Sequence, residues 1–467
     1  MGGLFGVVSK NDCVNDLFYG TDYHSHLGTK RGGMAVKNKN EYSRFIHNIE
    51  NAYFRSKFES DLPSLKGNMG IGVISDNDSQ PLLIGSHLGT FSIVTVAKIN
   101  NMESLVKKAY NQKLHFSETS GNSTSPTELV AMLICEKGSF EEGIENVMDS
   151  IQGSCSLLLL TEKGIYAARD KLGRTAVIIG NKQGSYAATS ETCALPNLGF
   201  EIYSYLGPGE IVLITEDGIE QKKKPGERMQ ICSFLWVYYG FPASCYEGIN
   251  VEHVRYQCGS ALAARDDTEI DFVAGIPDSG IGHALGYANK RGIPYMRQYV
   301  KYTPTWPRSF MPQKQEDRDL VARMKLIPVT KLISGKRIAF CDDSIVRGTQ
   351  LKDNIQLLFE AGAIEVHMRI ACPTLIFPCE FLNFSTSRSV LDLAGRKSIS
   401  EIEGKKDADL NEYAKAGSDK NKLMVERTRQ RLRLSSLKYQ RIDDLINSIG
   451  LPKEKLCTHC WDGSSYF

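Results

Sequence analysis

The segment KRIAFCDDSIVRGTQ, residues 336–350, places two adjacent carboxylates, Asp342 and Asp343, between an apolar run and a loop ending in Gly348 and Thr349. A strand, a short loop and a helix start turn several backbone N–H groups toward one point, which suits an anion. Gly348 lets the backbone approach a phosphate with no Cβ in the way. Paired acids at the carboxyl end of a strand lie where open α/β sheets take their ligands, and they suit ribose hydroxyls and an oxygen-ligated Mg²⁺. A plain strand–turn–helix would need only one Asp, as a helix cap.

Two other stretches carry possible chemistry. Twelve cysteines are present, most of them single in apolar runs, such as Cys135, Cys155 and Cys372, and these read as small buried hydrophobes. Cys457 and Cys460, in KLCTHCWDG, form a C-x-x-C pair that needs further ligands before it can be a metal or redox site. The opening MGGLFGVVSK runs from two glycines into an apolar strand, Leu4 to Val8. Some enzymes place a nucleophile at residue 2 of such a strand and use its α-amino group as base. Gly2 has no side chain to offer, and a plain edge strand is the alternative.

These residues need scaffolds. A length of 467 predicts two or three domains. With 42% hydrophobic and 24% charged residues the composition is that of a soluble globular chain. A net charge of +2 offers no bulk attraction to nucleic acid or membrane. No apolar run approaches the ~20 residues of a membrane span, and no signal peptide precedes Leu4, so a cytoplasmic address is expected. The first ~220 residues read as short strands broken by Gly, Asn and Asp, with helices at Asn101–Asn111 and Pro126–Glu136. Gln221–Gln230 reads as a linker. Beyond it helix and strand alternate: helix Gly248–Ala264, strand Phe272–Ile276, helix Ile281–Lys290, strand Arg337–Cys341, helix Thr349–Ala361 and strand Glu365–Ala371. That rhythm predicts a parallel α/β sheet. From Asp392 to Ser448 the chain reads as helical and charged.

The acidic segment resembles the phosphoribosyl-pyrophosphate (PRPP) loop of type I phosphoribosyltransferases. With GIPDSGIGHALGYANKRGIPY, RSFMPQKQEDRDLVARMKL, EGINVEHVR, GPGEIVLI and ATSETCA, nearly the whole chain is similar to the glutamine phosphoribosylpyrophosphate amidotransferase family. That family makes 5-phosphoribosylamine from PRPP in purine biosynthesis. The resemblance implies an α+β and α/β architecture: an N-terminal Ntn-type four-layer αββα glutaminase-like domain over residues 1–225, and a type I phosphoribosyltransferase α/β domain over residues 226–467 with a helical tail. It implies that Ser279, Asp342 and Asp343 handle Mg²⁺ and the ribose diphosphate. Ser344, Ile345, Val346, Arg347, Gly348 and Thr349 would hold the 5-phosphate. Lys301, Arg308 and Lys325 would close over pyrophosphate, although KYTPTWPRSF lacks one arginine of the family's closing loop. Cys232, Cys379, Cys457 and Cys460 match the four ligands of the [4Fe–4S] cluster that some members of the family carry, which the resemblance favours; structural zinc has the same ligand count. A homo-oligomer is implied as well.

The same resemblance implies a silent glutaminase. Gly2 stands at the nucleophilic cysteine, Ser75 at the arginine that grips the glutamine carboxylate, Val96-Ala97 at the Asn-Gly oxyanion pair and Pro126 at the aspartate for the amino group. Cys13, the nearest cysteine, lies beyond the strand. Ammonia, free or delivered by a partner protein, is therefore the expected nitrogen source. Two other readings remain: a PRPP- or nucleotide-sensing pseudoenzyme that regulates a partner, and a phosphoribosyltransferase using another nucleophile.

Overall fold

Strand β1 (Gly2–Ser9) is apolar on both faces. Alternate side chains of a strand point to opposite sides, so both sides must be covered. Leu4 and Val8 enter a core with Val73, Val94, Leu158 and Leu160, while Phe5 and Val7 pack with Leu17 and Phe18. The computed structural model from which this follows describes residues 2–39, 41–117, 119–120, 123–302, 326–382, 390–406 and 408–464.

The N-terminal half continues through α1 (Val14–Asp22), β2 (Arg31–Asn38), β3 (Glu41–Asn48), β4 (Met69–Ser75), β5 (Leu82–Ser86), β6 (Gly89–Ile99), α2 (Met102–Asn111), α3 (Pro126–Cys135), α4 (Phe140–Ser150), β7 (Gly153–Leu160), β8 (Ile165–Ala168), β9 (Ile178–Lys182), β10 (Ser185–Thr189), β11 (Glu201–Tyr205), β12 (Ile211–Thr215) and β13 (Gly218–Lys223). Two antiparallel sheets form, in the orders β11-β9-β10-β1-β4-β2-β3 and β13-β12-β8-β7-β6-β5. Helix α1 covers the first sheet, α3 and α4 cover the second, and the sheets face each other. This is the expected αββα layering.

The sequence reading anticipates α2 and α3 but not α1 or α4. Each missed helix carries an interior glycine, which lowers helix propensity, and in each the glycine is required by packing. A Cβ on Gly20 would lie 2.3 Å from the edge of the Phe5 ring, and one on Gly143 would lie 2.6 Å from the Ile134 carbonyl oxygen. The linker reading is corrected in its first three residues. Strand β13 extends to Lys223, whose Nζ pairs with Glu145 at 3.0 Å, so Lys222 and Lys223 lie on an edge strand, while 224–230 form no helix or strand.

The C-terminal half contains α5 (Val251–Ala263), β14 (Phe272–Gly275), α6 (Ile281–Arg291), β15 (Tyr299–Lys301), β16 (Leu326–Pro328), β17 (Arg337–Asp342), α7 (Thr349–Glu360), β18 (Glu365–Ile370), α8 (Ala394–Glu403), α9 (Asp419–Leu432), β19 (Ser436–Tyr439) and α10 (Ile442–Ile449). Strands β14, β17, β18 and β19 make the expected parallel sheet, in that order. Strand β19 interrupts the region read as wholly helical. It is only four residues long and is held by its ladder to β18, a long-range pairing without a local signal. Among the described residues no helix is long and apolar enough to cross a membrane.

Asp266 pins this sheet from beneath. It is buried and accepts from Arg369 of β18, from Lys438 Nζ of β19 at 2.8 Å and from the Tyr287 hydroxyl of α6 at 2.6 Å. Burial works against its charge, but the Arg369 guanidinium and the other donors outweigh it and hold the carboxyl well below the usual range. Asp266→Asn is expected to cost about 3–5 kcal/mol, because Arg369 would stay buried without a counter-charge. Denaturant unfolding at neutral pH checks this, and a cost below about 1 kcal/mol would show that the pair is dispensable.

Candidate active site

Strand β17 has Ile338, Ala339, Phe340 and Cys341 buried because both faces of a parallel strand are covered. Its carboxyl end delivers Asp342 and, one residue on, Asp343. Ser279, in the turn between β14 and α6, donates from Oγ to Asp342 Oδ1 at 3.3 Å. The Asp343 N–H donates to the same oxygen at 2.9 Å, and Ser344 Oγ donates to Asp343 Oδ1 at 2.5 Å. Burial, and then the Asp343 charge, push the Asp342 carboxyl well above its usual range; burial raises Asp343 as well. Two such carboxylates are suited to sharing a cation or hydroxyl donors.

The loop that follows has Ile345 buried beneath it, and Gly348 opens α7 with φ 76°, in the left-handed region. A Cβ there would be strained and would press within 3.2 Å of Leu432. Ser344, Ile345, Val346, Arg347, Gly348 and Thr349 thus form one turn beside the acids. Arg347 faces Asp392 at 3.8 Å. Lys301, at the end of β15, reaches Asp278 Oδ2 at 2.6 Å, one residue from Ser279. Arg308 and Lys325 lie outside the described residues.

Two residues join this group that the sequence reading did not single out. Asp278, the partner of Lys301, sits in the same GIPDSG turn as Ser279, and that adjacency is its signal. Arg255 is a buried arginine of α5 that donates to the carbonyls of Trp236, Tyr238 and Gly240 at 3.0, 3.0 and 2.8 Å. Its charge works against the rise in the Asp343 carboxyl. A lone arginine on a helix gives no sign of this, since its role exists only once the sheet is built.

A second cleft opens at the start of β1 and is lined by Gly2, Ser75, Asn77, Asp78, Gln80, Thr95, Val96, Ala97, Pro126 and Leu382. Five positions scattered over 125 residues of sequence thereby share one pocket: Gly2, Ser75, Val96, Ala97 and Pro126. Gly2 pairs with Ser75 across the sheet, and a Cβ on Gly2 would lie 2.6 Å from the Ile74 carbonyl oxygen. Asp78 accepts from Ser125 Oγ at 2.7 Å, from the Thr127 N–H at 3.0 Å and from Gln80 Nε2 at 3.0 Å. Gln80 Oε1 in turn accepts the Thr95 N–H at 2.6 Å. The polar groups of this floor are bonded to one another. Cys13 stands outside the pocket, and burial pushes its thiol up.

Cys232, Cys379, Cys457 and Cys460 line a small third cavity with Arg174, Phe234, Phe381, Leu382 and Trp461. Cys232 and Cys457 face each other in a two-residue parallel bridge, and the N–H groups of Ile376 and Phe377 donate to the Cys460 carbonyl at 3.2 Å each. All four thiols are free. Burial, and then Cys457 and Cys379, push the Cys232 thiol well up; a hydrogen bond from Cys460, outweighing burial, brings Cys379 down to about 6. The Leu382 N–H donates to Cys379 Sγ at 3.3 Å. Among the described residues no group of three or more His, Cys, Asp or Glu is arranged to hold a metal ion. The thiols ring a cavity instead, walled by Phe234, Phe381, Leu382, Trp461 and the Arg174 guanidinium, and four thiols with an N–H···S bond are a donor set that fits an iron–sulfur cluster or a structural zinc.

Comparison with known proteins places these pockets in context. The sequence profile of the glutamine amidotransferase domain matches residues 68–197. The chain is 30% identical over 432 residues to the amidophosphoribosyltransferase of Methanocaldococcus jannaschii, covering 86% of this chain and 90% of the relative. It is 31% identical over 412 residues to that of Bacillus subtilis, covering 86% and 85%. Among solved structures, glutamine PRPP amidotransferase from B. subtilis complexed with ADP and GMP superposes with a TM-score of 0.83 at 27% identity, covering 99% of this chain and 97% of that one.

Proposed function

The chain belongs to the amidophosphoribosyltransferase family, and from that premise we propose that it forms 5-phosphoribosylamine from PRPP, in purine biosynthesis, with ammonia rather than glutamine as the direct nitrogen source. One observation carries the reading. The acids, the serine and the glycine turn stand together at the carboxyl end of the parallel sheet, whereas the pocket at Gly2 carries glycine at the nucleophile position and Val96-Ala97 at the position of the Asn-Gly pair. In this reading residues 1–225 are a glutaminase-like scaffold and residues 226–467 the working phosphoribosyltransferase.

Ser279, Asp342 and Asp343 would hold Mg²⁺, which when bound neutralises charge on the diphosphate. Asp342 and Asp343 also accept from ribose hydroxyls. The N–H groups between Ser344 and Thr349 surround the 5-phosphate. Lys301 leaves Asp278 to meet the leaving pyrophosphate, joined by Arg308 and Lys325. What the chain contributes is positioning and charge: ammonia attacks C1 of the ribose as pyrophosphate departs.

The test is the pure protein with PRPP and Mg²⁺, given either ammonium chloride or glutamine, with pyrophosphate release followed. Release with ammonium is expected. PRPP binding without release would favour the sensor reading, and release only with another amine would favour a different transferase.

Cys232, Cys379, Cys457 and Cys460 would hold a [4Fe–4S] cluster that ties the tail to the sheet domain. Protein prepared without oxygen is expected to be brown with about four iron per chain, and Cys457→Ser to lose that iron. Stoichiometric zinc without iron would replace the assignment.

A further inference from the structure

Arg174 belongs to the glutaminase-like half, in the turn after β8, yet it touches all three segments that carry the four cysteines. Its carbonyl accepts the N–H of Cys232 at 3.1 Å. Its Nη1 donates to Cys457 Sγ at 2.9 Å, and its guanidinium carbon lies 3.3 Å from the centroid of the Phe381 ring, two residues from Cys379. Nη2 is steered by Gln230 Oε1 at 3.0 Å. The residue is fully buried, so water does not screen its charge. The same half grips the Cys379 segment by its carbonyls: Lys98 Nζ bonds that of Cys379, Asn100 Nδ2 that of Glu380 at 2.7 Å, and Ser154 Oγ that of Phe381.

We propose that Arg174 is the positioning residue of the cysteine centre: it fixes Cys457 by a charge-assisted N–H···S bond and raises the reduction potential of the cluster held there. The proposal rests on the iron–sulfur reading above. A cluster gains negative charge on reduction, and a buried cation with a donor on a ligand sulfur stabilises the more negative form. This gives the N-terminal half a purpose that needs no glutaminase chemistry. It is the wall of the cluster site, and arginine suits the position because one planar group can stack on Phe381 while donating to sulfur and to Gln230.

The test compares the full-length, iron-loaded protein with Arg174→Met and Arg174→Lys, by iron content and by spectroelectrochemical titration. Arg174→Met is expected to keep its iron and to lower the reduced-to-oxidised ratio at a fixed potential about tenfold, a shift of about −59 mV for a one-electron couple. Arg174→Lys is expected to recover part of that shift. A parental potential in Arg174→Met overturns the proposal while leaving the cluster in place; a parent without iron overturns the cluster reading itself. If Arg174→Met loses iron, PRPP binding is measured on the same sample. Binding retained supports the positioning role, and iron and binding lost together show a general structural role and overturn it.

Discussion

Glutamine is expected to drive no turnover of PRPP, and Gly2→Cys is expected not to change that. A covalent glutaminase needs a nucleophile, a base and an oxyanion hole, and removing one oxyanion donor alone costs about 10²–10³ in rate. Here the losses coincide in a single cleft. Ser75 and Pro126 offer no charged side chain to the amino-acid head group, Val96 and Ala97 lack a side-chain amide, and Asp78 and Gln80 bond each other, Ser125 and the backbone. The structure adds a steric reason: a cysteine at position 2 would set its Cβ 2.6 Å from the Ile74 carbonyl oxygen, so strand β1 would have to move. Glutamate release is the measurement. Detectable glutamate from the parent protein, or its appearance in Gly2→Cys, would overturn the assignment of a silent glutaminase.

Asp343→Asn is expected to leave the fold and the iron content intact and to weaken Mg²⁺-dependent PRPP binding at least tenfold. The cap of α7 is Gly348, with no side-chain bond to the helix, so Asp343 is not a structural cap whose loss would unravel the turn. Asp343 is buried beside Asp342, and Ser344 Oγ donates to its Oδ1. Taking one charge from a hydrogen-bonded site costs about 1.5–3 kcal/mol, and 1.4 kcal/mol is a factor of ten in affinity. Calorimetric titration of PRPP with and without Mg²⁺ measures the change. Unchanged affinity in the variant, or no binding by the parent, would remove the enzyme and sensor readings together.

The chemistry of the acids was legible because it is local. Asp342, Asp343 and the Gly-Thr of the loop lie within eight residues, and an apolar strand before them with a helix after them suffices to aim them. The αββα and parallel α/β layers were legible from strand alternation and helix–strand rhythm, with resemblance supplying their names. Helices α1 and α4 were hidden because Gly20 and Gly143 argue against helix locally, while Phe5 and Ile134, on the neighbouring strand and helix, leave room for nothing larger. Strand β19 was hidden because its partner β18 is a separate segment, with 69 residues between His367 and Ser436.

By itself the sequence determined which residue types were present at each motif and which were missing, since these are properties of single positions. Only the tertiary structure decided that Gly2, Ser75, Val96 and Pro126 share one cleft, that Lys301 rests on Asp278, and that Arg174 reaches Cys457 across 283 residues of chain. The reason is physical. A side chain's partners are set by the packing of sheets whose strands come from distant parts of the chain, and no spacing along the chain encodes a contact that only closure of the two halves creates.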